Sequence, residues 1–186
     1  MAVNLCDFGE LTRQLDAQKL VDLLTDYVRA VSEAVFHRGG IVDTVVGDGV
    51  LIYFDNPPDN TEPALAAAKE LVQRIDSLNQ RREARDQPLL NVGIGMHSGE
   101  VLMVNAGSKS RMVYTVIGQA AQTALALRDV ASPSEVLITE QVGAGGGAEL
   151  QLADGPMVQV RGQPDPLPAF RLVFRADPIE QPQTVN

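Results

Sequence analysis

The sequence predicts an α+β fold built on a β-α-β-β-α-β core, with additional strands toward its C-terminal end. Three observations indicate this fold. Apolar runs of strand length recur along the chain, two long segments carry apolar residues at helical spacing, and a Gly-Asp-Gly corner separates two of the strands. A chain of 186 residues is long enough for one domain with its own core. We predict that this domain spans residues 1–174 and that 175–186 form a flexible tail.

Composition and charge narrow the possible functions. Apolar residues make up 45% of the chain and the charged residues are spread along it, which is typical of a globular protein. A net charge of −9 leaves no basic field for a phosphate backbone, so nucleic acid is excluded as a partner. No 18 apolar residues run together, and we therefore expect no membrane contact by this chain. The single cysteine, Cys6, excludes an internal disulfide and is expected in the core.

The first half of the chain contains a strand, a helix and a hairpin. A short apolar strand at residues 2–6 ends at Asp7. Apolar residues then recur at helical spacing over residues 16–37, and a pair of glycines ends this helix. In residues 41–54, two β-branched runs flank Asp48, which stands between two glycines. An Asp-Gly corner between apolar strands predicts a β-hairpin.

A second helix and further strands follow the hairpin. Thr61 or Glu62 is the expected cap of this helix, with Pro63 in its first turn. The polar run at 80–87 is interpreted as a solvated connection, with contact of its arginines to a partner as the alternative. Alternating apolar and polar residues over 90–97 predict a half-buried strand. The remaining predicted elements are strands near 101–104, 114–118, 135–139, 157–161 and 169–174, and an Ala-rich helix beyond residue 120.

The glycine cluster at 143–148 has the glycine spacing of a dinucleotide-binding motif. The preceding strand stops short of the cluster, and no helix of the required length follows it. We therefore predict a flexible loop there.

Two carboxylates are expected to meet at one place in this fold. The β-α-β-β-α-β order is that of the ferredoxin-like unit. In that unit the end of the first strand lies beside the tip of the hairpin, so Asp7 and Asp48 would face one another. Hard divalent cations prefer carboxylate oxygen, and such a pair can hold them. The alternative is that Asp48 is simply a turn residue.

Four segments, taken in order and with their separations, carry a family resemblance. They are LCDFGELT at 5–12, the stretch from the glycine pair to GDG at 39–49, GIGMHSGEV at 93–101, and RMVYTVIG at 111–118. Together they resemble the catalytic domain of class III adenylate and guanylate cyclases over nearly the whole chain. The resemblance implies a cyclase homology domain at 1–174.

The resemblance also implies a composite site at a dimer interface and two Mg²⁺ or Mn²⁺ ions per site. There a nucleoside triphosphate would become a 3′,5′-cyclic nucleotide and pyrophosphate. The family's metal positions match Asp7, Asp48 and the backbone carbonyl of Phe8. Its phosphate contacts match Arg111 and Arg161, for which a plain surface arginine is the alternative. The resemblance further implies a cytoplasmic location. One version of this expectation is that the chain is the cytosolic domain of a larger sensor protein.

The other half of the family's site is altered in this sequence. Gln122 stands at the position of the family's ribose-orienting Asn, and Ala126 at that of its transition-state Arg. Thr44 replaces the Lys of adenylate cyclases or the Glu of guanylate cyclases, whereas Thr115 matches a bacterial adenylate-cyclase variant. Removing one group that stabilises the charge developing in the transition state typically lowers the catalytic rate by about 10² to 10³, so we expect a slow homodimer. Arg128, on the same helix, is an alternative source of charge.

Two functional hypotheses remain at this point. The first is a weak nucleotidyl cyclase in cyclic-nucleotide signalling, either as a homodimer or as a heterodimer with a domain that supplies the missing Asn and Arg. The second is an inactive cyclase-like module that dimerises and binds nucleotide. The sequence leaves the choice between ATP and GTP open.

Overall fold

A computed structural model describes residues 1–57, 59–108, 111–147 and 150–174. The strands in these ranges are β1 (Ala2–Leu5), β2 (Ile41–Val46), β3 (Gly49–Tyr53), β4 (Val92–Met96), β5 (Leu102–Ser108), β6 (Arg111–Ile117), β7 (Val136–Ile138), β8 (Gln151–Val158) and β9 (Leu167–Val173). The helices are α1 (Phe8–Gln14), α2 (Ala17–Phe36), α3 (Glu62–Glu83), α4 (Gln119–Val130) and α5 (Glu140–Ala144).

The main sheet has the strand order β2-β3-β1-β4-β7-β9-β8. Its first four strands pair antiparallel and have the order of a ferredoxin-like unit, which confirms the predicted fold class. β7 joins β4 in parallel, and β9 and β8 extend the sheet as the predicted additional strands. β5 and β6 form a separate two-stranded ribbon, called the arm below.

The sheet lies between two helical layers. One face packs against α2 and α3, and its main core contains Tyr27, Leu71 and Ile94. The other face of β4 carries Gly93 and Gly95, against which α4 packs. A Cβ at position 95 would stand 2.2 Å from a backbone carbonyl oxygen of α4, so only glycine permits this approach.

The close approach of α4 corrects the prediction of a half-buried strand at 90–97. All five residues of β4 are buried, because the glycines that alternate with its apolar residues are covered by the helix. The absence of apolar side chains on that face reflects tight helix packing and not exposure to solvent.

The polar run at 80–87 is also corrected. α3 continues to Glu83, and Arg82 is only 6% exposed. Its Nη1 donates to Asp26 at 2.9 Å and its Nε donates to the carbonyl of Pro88 at 2.7 Å. Arg82 therefore fastens α3 to α2 and to the following loop.

Three smaller differences concern local elements. The short helix α1 was not predicted, whereas α2 begins where its periodicity predicts, and the structure shows Asp16 as its cap. α5 extends through Gly143, so the flexible loop predicted at 143–148 is wrong for its first residues; positions 148 and 149 lie outside the described residues. β8 begins at Gln151, earlier than predicted. The tail predicted at 175–186 is also outside the described residues.

Candidate functional site

The tip of the β2–β3 hairpin is fixed to two other elements. In the antiparallel register of β1 and β3, the backbone N–H of Leu5 donates to the carbonyl oxygen of Asp48 at 3.3 Å. The hydroxyl of Tyr27, on α2, donates to the same oxygen at 2.9 Å. Tyr27 is fully buried, and burial, followed by the charge of Asp48, raises the pKa of its hydroxyl. Asp48 thus has an anchored backbone beneath a partly exposed side chain.

Asp7 occupies the junction between β1 and α1 in an unusual conformation. Its φ of 57° is left-handed, which Asp tolerates better than most residues but which still costs free energy. Its carbonyl accepts hydrogen bonds from the N–H groups of Glu10 and Leu11, while its side chain makes no capping hydrogen bond. The exposed carboxylate is therefore available for another ligand.

Cys6 lies close to both aspartates. Burial raises the pKa of this thiol, and the charges of Asp7 and Asp48 both raise it further. Cys6 lies between Leu5, which contacts Asp48, and Asp7 itself. The hairpin tip that bears Asp48 therefore lies beside the strand end that precedes Asp7, and the metal-binding role of the two aspartates stays a prediction.

The donors at this point fit Mg²⁺ or Mn²⁺. They are two carboxylates on separate elements and the carbonyl of Phe8, the first residue of α1. That carbonyl also serves as a helix acceptor, so one of its two lone pairs remains for a cation. Within the described ranges, no three His, Cys, Asp or Glu side chains form a metal cluster. A magnesium site in which substrate phosphates and water complete the coordination needs no more than two carboxylates.

A cleft of about 400 Å³ opens beside the hairpin. Its polar lining comes from Thr44 and Asp48 on the hairpin, Thr115 on the arm and Arg128 on α4. Its apolar lining includes Leu51 and Leu125. The predicted base-contacting threonines therefore share one cleft with a predicted metal ligand.

Asp43 determines how these two threonines present their hydroxyl groups. Its Oδ2 accepts from the hydroxyl of Thr44 at 2.7 Å and from that of Thr115 at 2.8 Å, and its Oδ1 accepts from the N–H of Val116 at 3.1 Å. A carboxylate only accepts, so both hydroxyl protons point to Asp43 and the hydroxyl oxygens remain as acceptors. The sequence indicates only a strand-edge carboxylate at position 43, whereas the structure makes it the link between the arm and β2.

Two predicted site residues, Gln122 and Arg161, do not line this cleft. Gln122 is exposed on α4. Arg161 is exposed in the loop between β8 and β9, where its carbonyl accepts from the side chain of Gln119 at 3.4 Å. Arg111 begins β6, and its side chain lies outside the described part of the structure. Within one chain, Gln122 and the backbone of Arg161 thus both lie near the N-terminal end of α4.

Exposed apolar side chains cover the outer part of β2 and the arm. The most exposed is Val46, at 71%, and the others in this set are Ile41, Val45, Leu102, Met103, Tyr114 and Ile117. Exposed apolar side chains on two neighbouring elements, such as β2 and β6 here, are typical of a surface for protein contacts. It adjoins the cleft through Thr44 on β2 and Thr115 on the arm.

Sequence comparison gives relatives of known and unknown activity. An adenylate cyclase of Anabaena cylindrica is 32% identical over 151 residues, which cover 76% of this chain and 30% of that protein. An uncharacterised protein of Mycobacterium bovis is 30% identical over 97% of this chain and 31% of its own length. The chain therefore spans about a third of the length of these relatives. No helix in its described part combines the length and apolar character that a membrane crossing needs.

Comparison with solved structures shows the same fold in cyclases of both substrate types. The adenylyl cyclase CyaB from P. aeruginosa superimposes with a TM-score of 0.86 at 24% identity, covering 94% of this chain and 92% of that one. The guanylyl cyclase Cya2 superimposes with a TM-score of 0.85 at 24% identity, covering 96% and 92%. The sequence profile of the adenylate and guanylate cyclase catalytic domain matches residues 1–171. This chain therefore belongs to the adenylate and guanylate cyclase catalytic domain family.

Proposed function

We propose that this chain converts a nucleoside triphosphate to a 3′,5′-cyclic nucleotide and pyrophosphate, slowly when alone, for cyclic-nucleotide signalling in the cytoplasm. In this reaction the ribose 3′-hydroxyl loses its proton to solvent and its oxygen bonds to the α-phosphorus, the bond from that phosphorus to the bridging oxygen breaks, and pyrophosphate leaves. The observation that carries the proposal is that the anchored hairpin tip, which bears Asp48, is hydrogen-bonded to Leu5, two residues before Asp7.

The residues of one protomer would bind and orient the nucleotide. Asp7, Asp48 and the Phe8 carbonyl would hold two Mg²⁺ or Mn²⁺ ions. When bound, such ions lower the pKa of the attacking hydroxyl and neutralise charge on the leaving phosphates. Thr44 and Thr115 would accept hydrogen bonds from donor groups of the purine, since their protons point to Asp43.

A dimer would complete the site. Gln122 and Arg161 lie away from the cleft that Asp48 lines, so in a single chain they serve no common site with it. The exposed apolar surface of β2 and the arm is suited to hold a second copy, which would bring its Gln122, Arg111 and Arg161 to the nucleotide. A heterodimer with a complementary cyclase domain is the variant that would supply an Asn and an Arg instead.

Restoring the two altered positions tests this proposal by gain of function. Gln122→Asn combined with Ala126→Arg should raise cyclic-nucleotide formation from ATP or GTP by about 10²-fold, because a positioned cation is returned to the developing charge. Gln80→Asn with Ala84→Arg is the matched control, since it makes the same two changes at the same spacing, at exposed positions at the C-terminal end of α3. An equal gain in both doubles, or no gain in a folded dimer, would contradict the proposal.

Mixing experiments test whether two chains share one composite site. A chain that carries Asp48→Asn together with the restored Asn and Arg cannot hold metal itself but can complete the wild-type site. An excess of it should stimulate the wild-type chain. If turnover does not rise at any ratio, the two chains do not share a composite site.

The second candidate is a regulatory module that binds nucleotide and dimerises without chemistry. Thr44, Gln122 and Ala126 favour it, because each replaces a group that the family uses for selection or catalysis. Metal-dependent nucleotide binding with no product from either the wild-type chain or the restored double variant would support this candidate. Product that depends on Asp48 would exclude it.

A further inference from the structure

Arg128 is the one cation among the residues that line the Asp48 cleft in the described structure. Its side chain is 18% exposed, and its Nη1 lies 3.0 Å from where a Cβ at Gly49 would stand, directly after Asp48. Its charge also acts on the Tyr27 hydroxyl that anchors the Asp48 carbonyl, where it opposes the increase in pKa caused mainly by burial. Arg128 therefore sits beneath the hairpin tip of its own protomer.

The position of Arg128 on α4 differs from that of the altered family residue. Residues two apart on a helix are separated by about 200°, so Arg128 and Ala126 face different directions. Ala126 packs against the small core cluster that includes Leu127 and Leu137, whereas Arg128 lines the cleft with Leu125. An arginine at 128 thus serves the same protomer's cleft and not the group around Gln122.

The guanidinium is held by a partner that can release it. Its Nε and Nη2 donate to Oδ1 of Asp129, at 3.0 and 2.6 Å. Asp129 is 59% exposed, and ion pairs of such residues are weak and easily exchanged. A phosphate group offers the guanidinium two oxygen acceptors, where Asp129 offers one, and it carries more charge.

We propose that Arg128 binds a phosphate of the nucleotide held in its own protomer's cleft, and that Asp129 competes for the same guanidinium. The inference rests on the proposed function, since it assumes that the cleft takes a nucleoside triphosphate. It places one phosphate-binding arginine in the same chain as the metal carboxylates. A single protomer would then retain a charged contact despite the alanine at 126.

Two variants of opposite expected effect test the inference. Binding of a fluorescent GTP analogue and of inorganic pyrophosphate, each with Mn²⁺, would be titrated for the wild-type chain, Arg128→Gln and Asp129→Asn. Arg128→Gln removes a charge-assisted contact and should weaken binding of both probes about tenfold or more. Asp129→Asn frees the guanidinium and should tighten binding by up to about fivefold.

Distant charge changes provide the controls. Arg81→Gln, on the exposed side of α3, and Asp22→Asn, on α2, change the net charge equally and should leave both affinities within about twofold. Unchanged binding in Arg128→Gln, or weakened binding in a folded Asp129→Asn protein, would overturn the role of Arg128 alone. A wild-type chain that binds neither probe would overturn the proposed function together with this inference.

Discussion

Replacing Tyr27 with Phe would remove one hydrogen bond beneath the candidate metal site and little else. The hydroxyl donates to the carbonyl of Asp48 at 2.9 Å, in a position where the ring is fully buried. Phe fills almost the same volume, so no large cavity forms. The Asp48 carbonyl keeps its second donor, the N–H of Leu5, and is not left without a partner.

The expected loss of stability follows from this contact. A buried neutral hydrogen bond contributes about 1 kcal/mol net, and the remaining donor keeps the cost in that range. For a domain of this size, a loss of about 1 kcal/mol lowers Tm by about 2–4 °C. Tyr114→Phe is the matched control, because Tyr114 is an exposed residue whose hydroxyl donates to the sulfur of Met103, a weak acceptor, and loss of that contact should be nearly neutral.

The response of Tm to added Mn²⁺ distinguishes a purely structural role of Tyr27 from a role in positioning Asp48. If the hydroxyl holds Asp48 in place, Tyr27→Phe should bind Mn²⁺ at least about threefold more weakly, which would reduce the increase in Tm that the ion produces. Thermal unfolding with and without Mn²⁺ measures both effects. A full Mn²⁺-induced increase in a destabilised Tyr27→Phe protein would refute the positioning role, and an unchanged Tm would refute the contribution of the hydrogen bond.

Two further predictions concern the scaffold. Gly95→Ala should destabilise the fold by about 1–3 kcal/mol, because the new methyl group would collide with backbone atoms of α4. Gly9→Ala is the control, since the space around Gly9 is open and the change should be neutral or stabilising. Chemical denaturation measures the free energy of unfolding of both variants. Burial acts to raise the pKa of Glu70, but hydrogen bonds from His37, Arg74 and Arg38 outweigh it and lower that pKa from 4.5 to about 2. Glu70 therefore contributes stability above pH 4.5 that is lost as the pH falls through about 2. The Tm advantage of the wild-type chain over Glu70→Gln should shrink across this window, and an advantage that stays constant from pH 6 to pH 2 would contradict the role of Glu70.

The hairpin and its carboxylates could be predicted from sequence because they depend on local signals. A Gly-Asp-Gly corner between β-branched runs specifies a turn, and the element order then fixes which strand lies beside it. Gly47, with a φ of 59°, supplies the positive φ that the turn needs. The left-handed conformation of Asp7 had no comparable signal, and α1, seven residues long, is too short for clear periodicity.

Other features depend on packing between distant elements and were missed for that reason. In the sequence, the glycines of β4 alternate with apolar residues and therefore suggest an exposed face of the strand. Only the packing of α4 against them shows that this face is buried. In the sequence, Arg82 lies in a run of charged residues that is typical of a solvated loop. It nevertheless continues the helical spacing of Leu71, Ile75 and Leu78, and this spacing was a usable signal for its burial. The contact of Asp43 with Thr115 joins residues 72 positions apart, and no local pattern indicates it.

The most direct test of the proposed activity is cyclic-nucleotide formation by the purified chain with Mn²⁺ and either ATP or GTP. Asp7→Asn and Asp48→Asn would be compared with Asp22→Asn, an exposed aspartate on α2. We expect slow product formation by the wild-type chain and by Asp22→Asn, and a loss of about 10²-fold or more in both site variants. Product formation that survives Asp48→Asn, or its absence from a folded wild-type dimer and from the Gln122→Asn/Ala126→Arg protein, would contradict a cyclase active site at this hairpin.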